Sequence, residues 1–147
     1  MNPHVIIYTD GGASPNPGTG GWAAVLYSQK HEAKREIYGG ERSTTNNRME
    51  ITAAIKALEA LKTPCDVDLY TDSAYLCNTF DKGWIYNWIK NKWRNSSGDV
   101  LNRDLWEILL KLTKIHNVKW HHVKGHADDE LNNRCDELVQ KAREELR

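Results

Sequence analysis

The sequence lacks the features that mark membrane and secreted proteins. No apolar stretch in its 147 residues approaches the ~20 residues that a membrane span needs, and the N-terminus has no hydrophobic signal-peptide region. Only three cysteines occur, an odd number with no Cys-x-x-Cys spacing, which argues against a zinc site. We therefore expect a cytoplasmic protein whose thiols are reduced and mostly buried.

Net charge is also absent, because 20 basic and 20 acidic residues cancel, so bulk charge does not indicate a polyanionic partner. The distribution is uneven, however, and residues 82–98 contain no acid. That segment holds four basic residues and half of the tryptophans, namely Lys82, Lys90, Lys92, Arg94, Trp84, Trp88 and Trp93. Basic residues interleaved with aromatic residues are typical of a nucleic-acid surface. A tryptophan-rich helix packed on the body of the protein, with solvated lysines, explains the pattern equally well.

The hydrophobic pattern predicts a single α/β domain over residues 1–147, without repeats or linkers. Strands are predicted at residues 5–10, 22–28, 35–41, 67–72 and 118–123, and helices at 48–61, 73–80, 84–92, 104–115 and 130–146. The first three strands form an antiparallel meander, and helical crossovers then return the later strands parallel to the first. The expected core is a five-stranded mixed sheet flanked by helices.

Two of these predicted strands end on the same three residues, Tyr-Thr-Asp, which places Asp10 and Asp72 at strand ends. Binding and catalytic sites of open α/β sheets lie at the carboxyl ends of the strands. If the two strands are neighbours, the carboxylates lie about 5 Å apart and repel each other unless cations lie between them. A single aspartate before a turn is commonly a cap, but the matched pair favours a metal site.

Two further acids are ambiguous. Glu50 lies early in the first long helix, where Asn47-x-x-Glu50 also matches a capping box, so a structural role and a role at the strand ends are both open. Asp136 flanks the apolar stripe of the last helix, where an acid is more commonly a rim residue than a ligand. Asp128 and Asp129 are nearby rivals, although the loop position suggests that they are solvated.

Among the six histidines, His126 stands out because it follows Lys124-Gly125 in a predicted loop with acidic neighbours. A mobile imidazole that titrates near neutral pH suits a proton shuttle or a product-release step. By contrast, His121 and His122 lie in a predicted strand, and we interpret them as residues of the sheet.

Several stretches, in this order, resemble the bacterial type 1 ribonuclease H family: YTDGGASPNPG, TTNNRMEITAAIKAL, LYTDSAYL, KGW with the tryptophans after it, and VKGHADDELNNRCDELV. The likeness runs from about residue 5 to residue 142. It implies the ribonuclease H fold and a monomeric endoribonuclease that cleaves the RNA strand of RNA–DNA hybrids, leaving 5′-phosphate and 3′-hydroxyl ends.

By resemblance, the catalytic residues are His126 and the four carboxylates Asp10, Glu50, Asp72 and Asp136. The resemblance implies that these carboxylates hold two Mg²⁺ ions, for which Mn²⁺ can substitute, about 3.5–4 Å apart across an in-line displacement. Asp10 would bridge both ions, and His126 would assist proton transfer or product release. Magnesium suits this set because it takes hard oxygen ligands.

The resemblance also implies contacts with both strands of the hybrid. The expected nucleic-acid-binding residues are Gly11, Gly12, Ala13, Asn16, Thr45, Asn46, Asn47, Ser73, Trp84, Lys90, Lys92 and Arg94. Glycine at positions 11 and 12 would let the backbone approach the RNA, and the 2′-hydroxyl would distinguish RNA from DNA. Thr45, Asn46 and Asn47 would hold a DNA phosphate at a helix N-terminus, where unpaired N–H groups favour anions.

Three other functions are considered. A haloacid-dehalogenase-like phosphatase also has an aspartate at a strand end, but Asp10-Gly11-Gly12 lacks the second aspartate that its acid–base step needs. A transposase or resolvase nuclease shares the fold and the two-metal chemistry, yet the TTNNRMEI and KGHADDELNNRCDEL stretches argue against it. A catalytically inactive hybrid-binding module would keep the basic tryptophan segment and lose carboxylates, all of which are present here.

Overall fold

A computed structural model of the chain describes residues 2–28, 30–124 and 130–146. Its strands are β1 (His4–Ala13), β2 (Gly18–Ser28), β3 (Ala33–Thr44), β4 (Asp66–Thr71), β5 (Arg94–Asn95), β6 (Gly98–Asp99) and β7 (Asn117–His122). Its helices are α1 (Asn46–Glu59), α2 (Ala74–Asp81), α3 (Trp84–Lys90), α4 (Arg103–Ile115) and α5 (Glu130–Glu145).

The main sheet has five strands in the order β3-β2-β1-β4-β7. The pairs β3–β2 and β2–β1 are antiparallel, whereas β1–β4 and β4–β7 are parallel. The predicted mixed sheet is therefore confirmed. The two-residue strands β5 and β6 form a separate small hairpin, which the sequence did not predict.

Strand β1 is longer than predicted. It pairs with β4 as far as Tyr8↔Tyr70 and continues alongside β2 as far as Ala13↔Gly20. Asp10 is therefore inside a strand rather than at its end, and the connection between the first two strands is shorter than the predicted strand bounds of 5–10 and 22–28 imply. The glycines at 18, 20 and 21 lower the local strand propensity, but the ladder of hydrogen bonds with β1 outweighs it.

Helices cover the two faces of the sheet with two separate apolar clusters. Helix α1 packs on β1 and β2 and against α4, whereas α5 packs on β1, β2 and β3. The first cluster contains Ile7, Ile51 and Leu69, and the second contains Val25 and Leu138. Both clusters meet β1, so this strand is held from both sides near the aspartate it carries.

Histidine side chains tie three parallel strands together away from this aspartate. His4 Nε2 lies 2.6 Å from Asp68 Oδ2, and His121 Nε2 lies 2.7 Å from Asp68 Oδ1. The His4 and His121 hydrogen bonds hold the pKa of Asp68 below its usual value. The ring of His121 also stacks on Tyr70 with centroids 4.6 Å apart. These contacts agree with the interpretation of His121 as a residue of the sheet.

Candidate functional site

Four predicted carboxylates line one cavity of about 300 Å³ at the end of the sheet. Asp10 comes from β1, Glu50 from α1, Asp72 follows the end of β4, and Asp136 comes from α5. Asp10, Glu50 and Asp72 each offer an oxygen, and these atoms all lie within 4.8 Å of one another. Chain segments that are far apart in sequence thus deliver acids to one place.

Glu50 lies in the second turn of α1 and lines the cavity. The N-cap of this helix is Thr45, whose hydroxyl accepts a hydrogen bond from the Arg48 N–H at 3.2 Å. The capping box proposed for Asn47 and Glu50 is therefore wrong, because Asn47 already lies within the helix. Glu50 is left free of a capping role.

Gly11 allows α1 to approach β1 closely. A Cβ atom at this position would lie 2.4 Å from the carbonyl carbon of Met49 and 2.6 Å from the backbone nitrogen of Glu50. At Gly12 the nearest atom would be Asn46 Oδ1 at 3.5 Å, an ordinary contact. Gly11 is thus required for the packing of the helix that carries Glu50, a role that the sequence did not indicate.

The burial of these carboxylates perturbs their titration. Burial is the main cause that raises the pKa of Asp10 to about 7, and the charge of Asp72 adds to it. The Gly11 N–H, which donates to Asp10 Oδ1 at 2.9 Å, opposes this shift. Burial also raises the pKa of Glu50 to about 7, against a hydrogen bond with the Ser73 hydroxyl. Both pKa shifts reflect burial first, and the charge of Asp72 adds to each of them.

The donor set suits divalent cations. All the converging ligand atoms are carboxylate oxygens, which hard cations such as Mg²⁺ prefer. In addition, Asp72 Oδ1 is buried and has no hydrogen-bond partner among the described residues. A buried carboxylate oxygen without a donor is costly, and a bound cation would remove that cost.

The structure describes Ser73, one of two further predicted site residues, but not His126. Ser73 is buried, and its hydroxyl accepts a hydrogen bond from the Leu76 N–H as the N-cap of α2. Its hydroxyl also hydrogen-bonds with Glu50, and its contact with nucleic acid stays a prediction. His126 lies outside the described residues.

Some backbone N–H groups in the predicted phosphate pocket at the start of α1 already donate hydrogen bonds within the protein. The side-chain oxygen of Asn16 accepts from the Asn46 N–H at 3.1 Å, and the Asn46 side chain accepts from the Ala13 N–H at 2.6 Å. The N–H groups of Asn46 and Arg48 are therefore bonded within the protein, the latter to the Thr45 hydroxyl, and the phosphate contact of Thr45, Asn46 and Asn47 stays a prediction. Exposed side chains of Asn16, Asn46 and Asn47 remain as polar groups on this surface.

The basic tryptophan segment at 82–98 had two interpretations, a nucleic-acid surface and a helix packed on the body of the protein. The structure supports the packing for its tryptophans and the exposure for its lysines. Trp88 and Trp93 are buried, and Trp88 lies 5.7 Å from Trp106 between ring centroids. These two rings belong to the core. Lys90, Lys92 and Arg94 are exposed, but Arg94 pairs across the β5–β6 hairpin with Asp99 at 3.3 Å.

Trp84 is half-buried, and its indole packs against the Tyr75 ring with centroids 6.3 Å apart. The indole therefore presents only part of its surface to solvent. Lys82, Lys90 and Lys92 are exposed cations of the segment for which no ion pair is seen within the described ranges.

The cavity also contains a residue that sequence reasoning missed. Arg143 on α5 lines it together with the carboxylates and with Gln140. The spacing could have indicated this, because Arg143 follows Asp136 by seven residues, or two helical turns, and so shares its face.

Comparison with known proteins gives one consistent family. The family model described as RNase H matches residues 2–144. The chain is 55% identical over 143 residues to a ribonuclease H of Prosthecochloris aestuarii, covering 97% of each chain. It is also 55% identical over 136 residues to a ribonuclease H of Acetivibrio thermocellus, covering 92% of this chain and 91% of that one.

Solved structures agree with the sequence relatives. A type 1 ribonuclease H with the type 2 active-site motif, LC9-RNase H1, superposes with a TM-score of 0.87 at 28% identity, covering 99% of this chain and 74% of that one. The structure of LC11-RNase H1 in complex with RNA/DNA hybrid gives a TM-score of 0.75 at 25% identity, covering 97% and 98% of the two chains.

Proposed function

This chain belongs to the ribonuclease H family, and from that membership we propose that it hydrolyses the RNA strand of RNA–DNA hybrids as an endonuclease. The observation that carries the proposal is the convergence of Asp10, Glu50 and Asp72 oxygens within 4.8 Å in a cavity that Asp136 also lines. The expected products are a 5′-phosphate and a 3′-hydroxyl. No observation favours the phosphatase or transposase alternatives.

The carboxylates Asp10, Glu50, Asp72 and Asp136 would hold two divalent cations, Mg²⁺ with Mn²⁺ as a substitute. When bound, such ions stabilise the attacking and leaving oxygens of an in-line displacement. Asp10 is central to this set, since the charges of the other three all raise its pKa. The Ser73 hydroxyl helps to hold Glu50 in place. His126 would assist proton transfer or product release.

Recognition of the hybrid is proposed for the surface around the cavity. Gly12 would let the RNA backbone come close, since a Cβ atom there would meet only Asn46 Oδ1 at 3.5 Å among the described atoms. Gly11, Ala13 and Asn16 would lie along the same strand of the substrate. The DNA strand would be contacted by Thr45, Asn46, Asn47 and Trp84. Ser73 would also contact the nucleic acid, and the basic residues Lys90, Lys92 and Arg94 would bind the duplex by charge.

We further propose that residues 1–147 act as one catalytic domain and as a monomer, with a basic tryptophan-rich protrusion at about 82–98. Support comes from the four carboxylates, which span residues 10 to 136 and line a cavity within one chain. A cytoplasmic location is proposed because Cys65, Cys77 and Cys135 are reduced and buried thiols. None of the described helices is long and apolar enough to cross a bilayer.

The proposed function is tested by a cleavage assay on a labelled RNA–DNA hybrid with Mg²⁺. We expect cleavage of the RNA strand alone, with no cutting of RNA–RNA, DNA–DNA or single-stranded controls and none in the presence of EDTA. Equal cutting of duplex RNA would contradict the substrate assignment. Binding of the hybrid without any cleavage would instead favour the inactive hybrid-binding module.

Exchange of both exposed lysines, Lys90→Ala with Lys92→Ala, tests the protrusion. We expect KM for the hybrid to rise about three- to tenfold with kcat little changed, because the lysines would bind phosphates equally in the ground and transition states. The slope of log affinity against log salt should fall by about two, roughly one for each phosphate that the variant no longer neutralises.

The matched control is Lys111→Ala with Lys114→Ala, a pair of exposed lysines on α4. It should leave both KM and the salt slope unchanged. An unchanged slope in the Lys90 and Lys92 variant would mean that the segment has only a structural role.

A further inference from the structure

Arg143 is a buried cation that the proposed chemistry does not use. Arg143 is only 8% exposed, and its guanidinium donates hydrogen bonds to three uncharged acceptors. Nε donates to the Thr19 carbonyl at 3.2 Å, Nη2 to the Ser14 carbonyl at 3.1 Å and Nη1 to Gln140 Oε1 at 2.8 Å. Burying a charge is costly even when it is bonded, so an apolar residue would be the simpler choice if only packing mattered.

The acceptors lie at the two ends of one turn. Ser14 and Thr19 flank the connection between β1 and β2, and the Ser14 N–H donates to the Thr19 carbonyl at 3.1 Å. The planar fork of the guanidinium reaches both carbonyls at once. A lysine ammonium is a single point of charge and does not present this fixed fork.

The same turn is tethered on its other side by Asn46. The Asn46 side chain accepts from the Ala13 N–H at 2.6 Å, and its backbone N–H donates to Asn16 Oδ1 at 3.1 Å. The segment 13–19 is thus held between α1, which carries Glu50, and α5, which carries Asp136. Asn46 and Arg143 both line the carboxylate cavity.

Close packing fixes the stem of Arg143. A Cβ atom at Gly21 of β2 would lie 2.6 Å from the Val139 carbonyl oxygen and 3.2 Å from Arg143 Cγ. Helix α5 therefore lies directly on β2 at this point, and the Arg143 side chain has little freedom. Its hydrogen bonds to Ser14 and Thr19 therefore fix the turn at 14–19 relative to α5.

We propose that Arg143 is a positioning residue that sets the 14–19 turn, and with it Asn16 and the backbone of Ala13, for contact with the RNA strand. The inference rests on the proposed function, since Asn16 and Ala13 act there as substrate contacts. Arg143 itself contacts neither substrate nor metal. Its loss should therefore weaken hybrid binding without altering the reaction step.

The test compares Arg143→Lys with the unmodified protein. We expect KM for the hybrid to rise about fivefold, with kcat within about twofold and the salt slope unchanged, because the same phosphates are still neutralised. Combined with Asn16→Ala, the KM effects should be strongly less than multiplicative, because both changes act through the same turn. Lys141→Ala, at an exposed position on the same helix, is the control and should change neither quantity.

Two outcomes would overturn the inference. An unchanged KM in Arg143→Lys would show that charge alone suffices at this position. In Arg143→Gln, which removes the charge, a raised KM with a salt slope lowered by about one would assign Arg143 a direct phosphate contact instead.

Amide hydrogen exchange separates this inference from the proposed function, because it needs no activity. In the metal-free protein the Ser14 amide should exchange at least about tenfold faster in Arg143→Lys than in the unmodified chain, and equal exchange would contradict the anchoring role. If Arg143→Lys does not fold, Gln140→Ala removes one acceptor at an exposed position and serves for the same measurements. An inactive unmodified protein would overturn the proposed function, while the exchange data would still decide on the anchor.

Discussion

Replacing Asp10 with asparagine should abolish hybrid cleavage and, in the metal-free protein, increase stability. We expect kcat to fall about a thousandfold or more, because metal ions at such sites contribute several kcal/mol of charge stabilisation. Asparagine keeps the shape and the oxygen that accepts from the Gly11 N–H, so the fold should be retained. The measurement is single-turnover cleavage of a labelled hybrid.

The gain in stability follows from the pKa of Asp10, which burial and neighbouring charges raise to about 7 in the folded protein. In the unfolded chain the pKa is about 3.9, so the folded state binds more protons between these values. The stability that depends on a neutral Asp10 carboxyl is therefore fully present below about pH 4. It is lost as the pH rises through 7 and the carboxyl ionises. At pH 8 the charged carboxylate should cost about 4 kcal/mol, which Asp10→Asn removes.

Urea unfolding at pH 5, 6.5 and 8 with EDTA measures this effect. The unmodified protein should lose stability across the series, Asp10→Asn should lose less, and Mg²⁺ should restore the unmodified protein at pH 8. The matched control, Asp81→Asn, changes an exposed carboxylate at the end of α2 and should follow the unmodified curve. A variant less stable than the unmodified protein at pH 8 would contradict the electrostatic account.

Gly11→Ala is expected to damage both stability and cleavage. The added methyl group would lie 2.4 Å from the Met49 carbonyl carbon, and α1 must shift away from β1 to accommodate it. Overpacking against backbone typically costs 1–3 kcal/mol, and we expect about 3 here. Since Glu50 moves with the helix, a displacement of about 1 Å should lower kcat about a hundredfold.

Gly12→Ala is the control, because its Cβ would make only an ordinary 3.5 Å contact with Asn46 Oδ1. Its free energy of unfolding should stay within about 1 kcal/mol of the unmodified value. A higher KM in this variant would be consistent with close approach of the RNA at position 12. Equal stability of the two alanine variants would show that α1 does not need Gly11 for its packing.

The sequence predicted the sheet well because alternating and continuous apolar runs report burial directly. It failed where tertiary contacts outweigh local preference. Strand β1 extends past Asp10 because β2 supplies hydrogen bonds, although glycines disfavour strands. Composition could not separate Trp88 and Trp93 from surface aromatics, since Trp88 packs on the distant Trp106 and Trp93 packs on Trp88.

The site was predictable to a similar degree. The paired strand aspartates predict a cation site on electrostatic grounds, whereas the choice between a cap and a ligand at Glu50 required the helix start at Thr45. For Arg143 the seven-residue spacing from Asp136 was the available signal, because two of its three hydrogen-bond acceptors are the backbone carbonyls of Ser14 and Thr19, which leave no trace in side-chain patterns.

The four acids are not all supported by the same apolar cluster. Asp10, Glu50 and Asp72 are carried by the sheet and by helices on the first cluster, whereas Asp136 follows Cys135, a residue of the second. A small shear of α5 over the sheet would change the distance from Asp136 to the other three and leave their mutual spacing intact. The distance from Asp136 to the other three acids is therefore set by how α5 packs on β2, whereas the spacing of those three does not depend on α5.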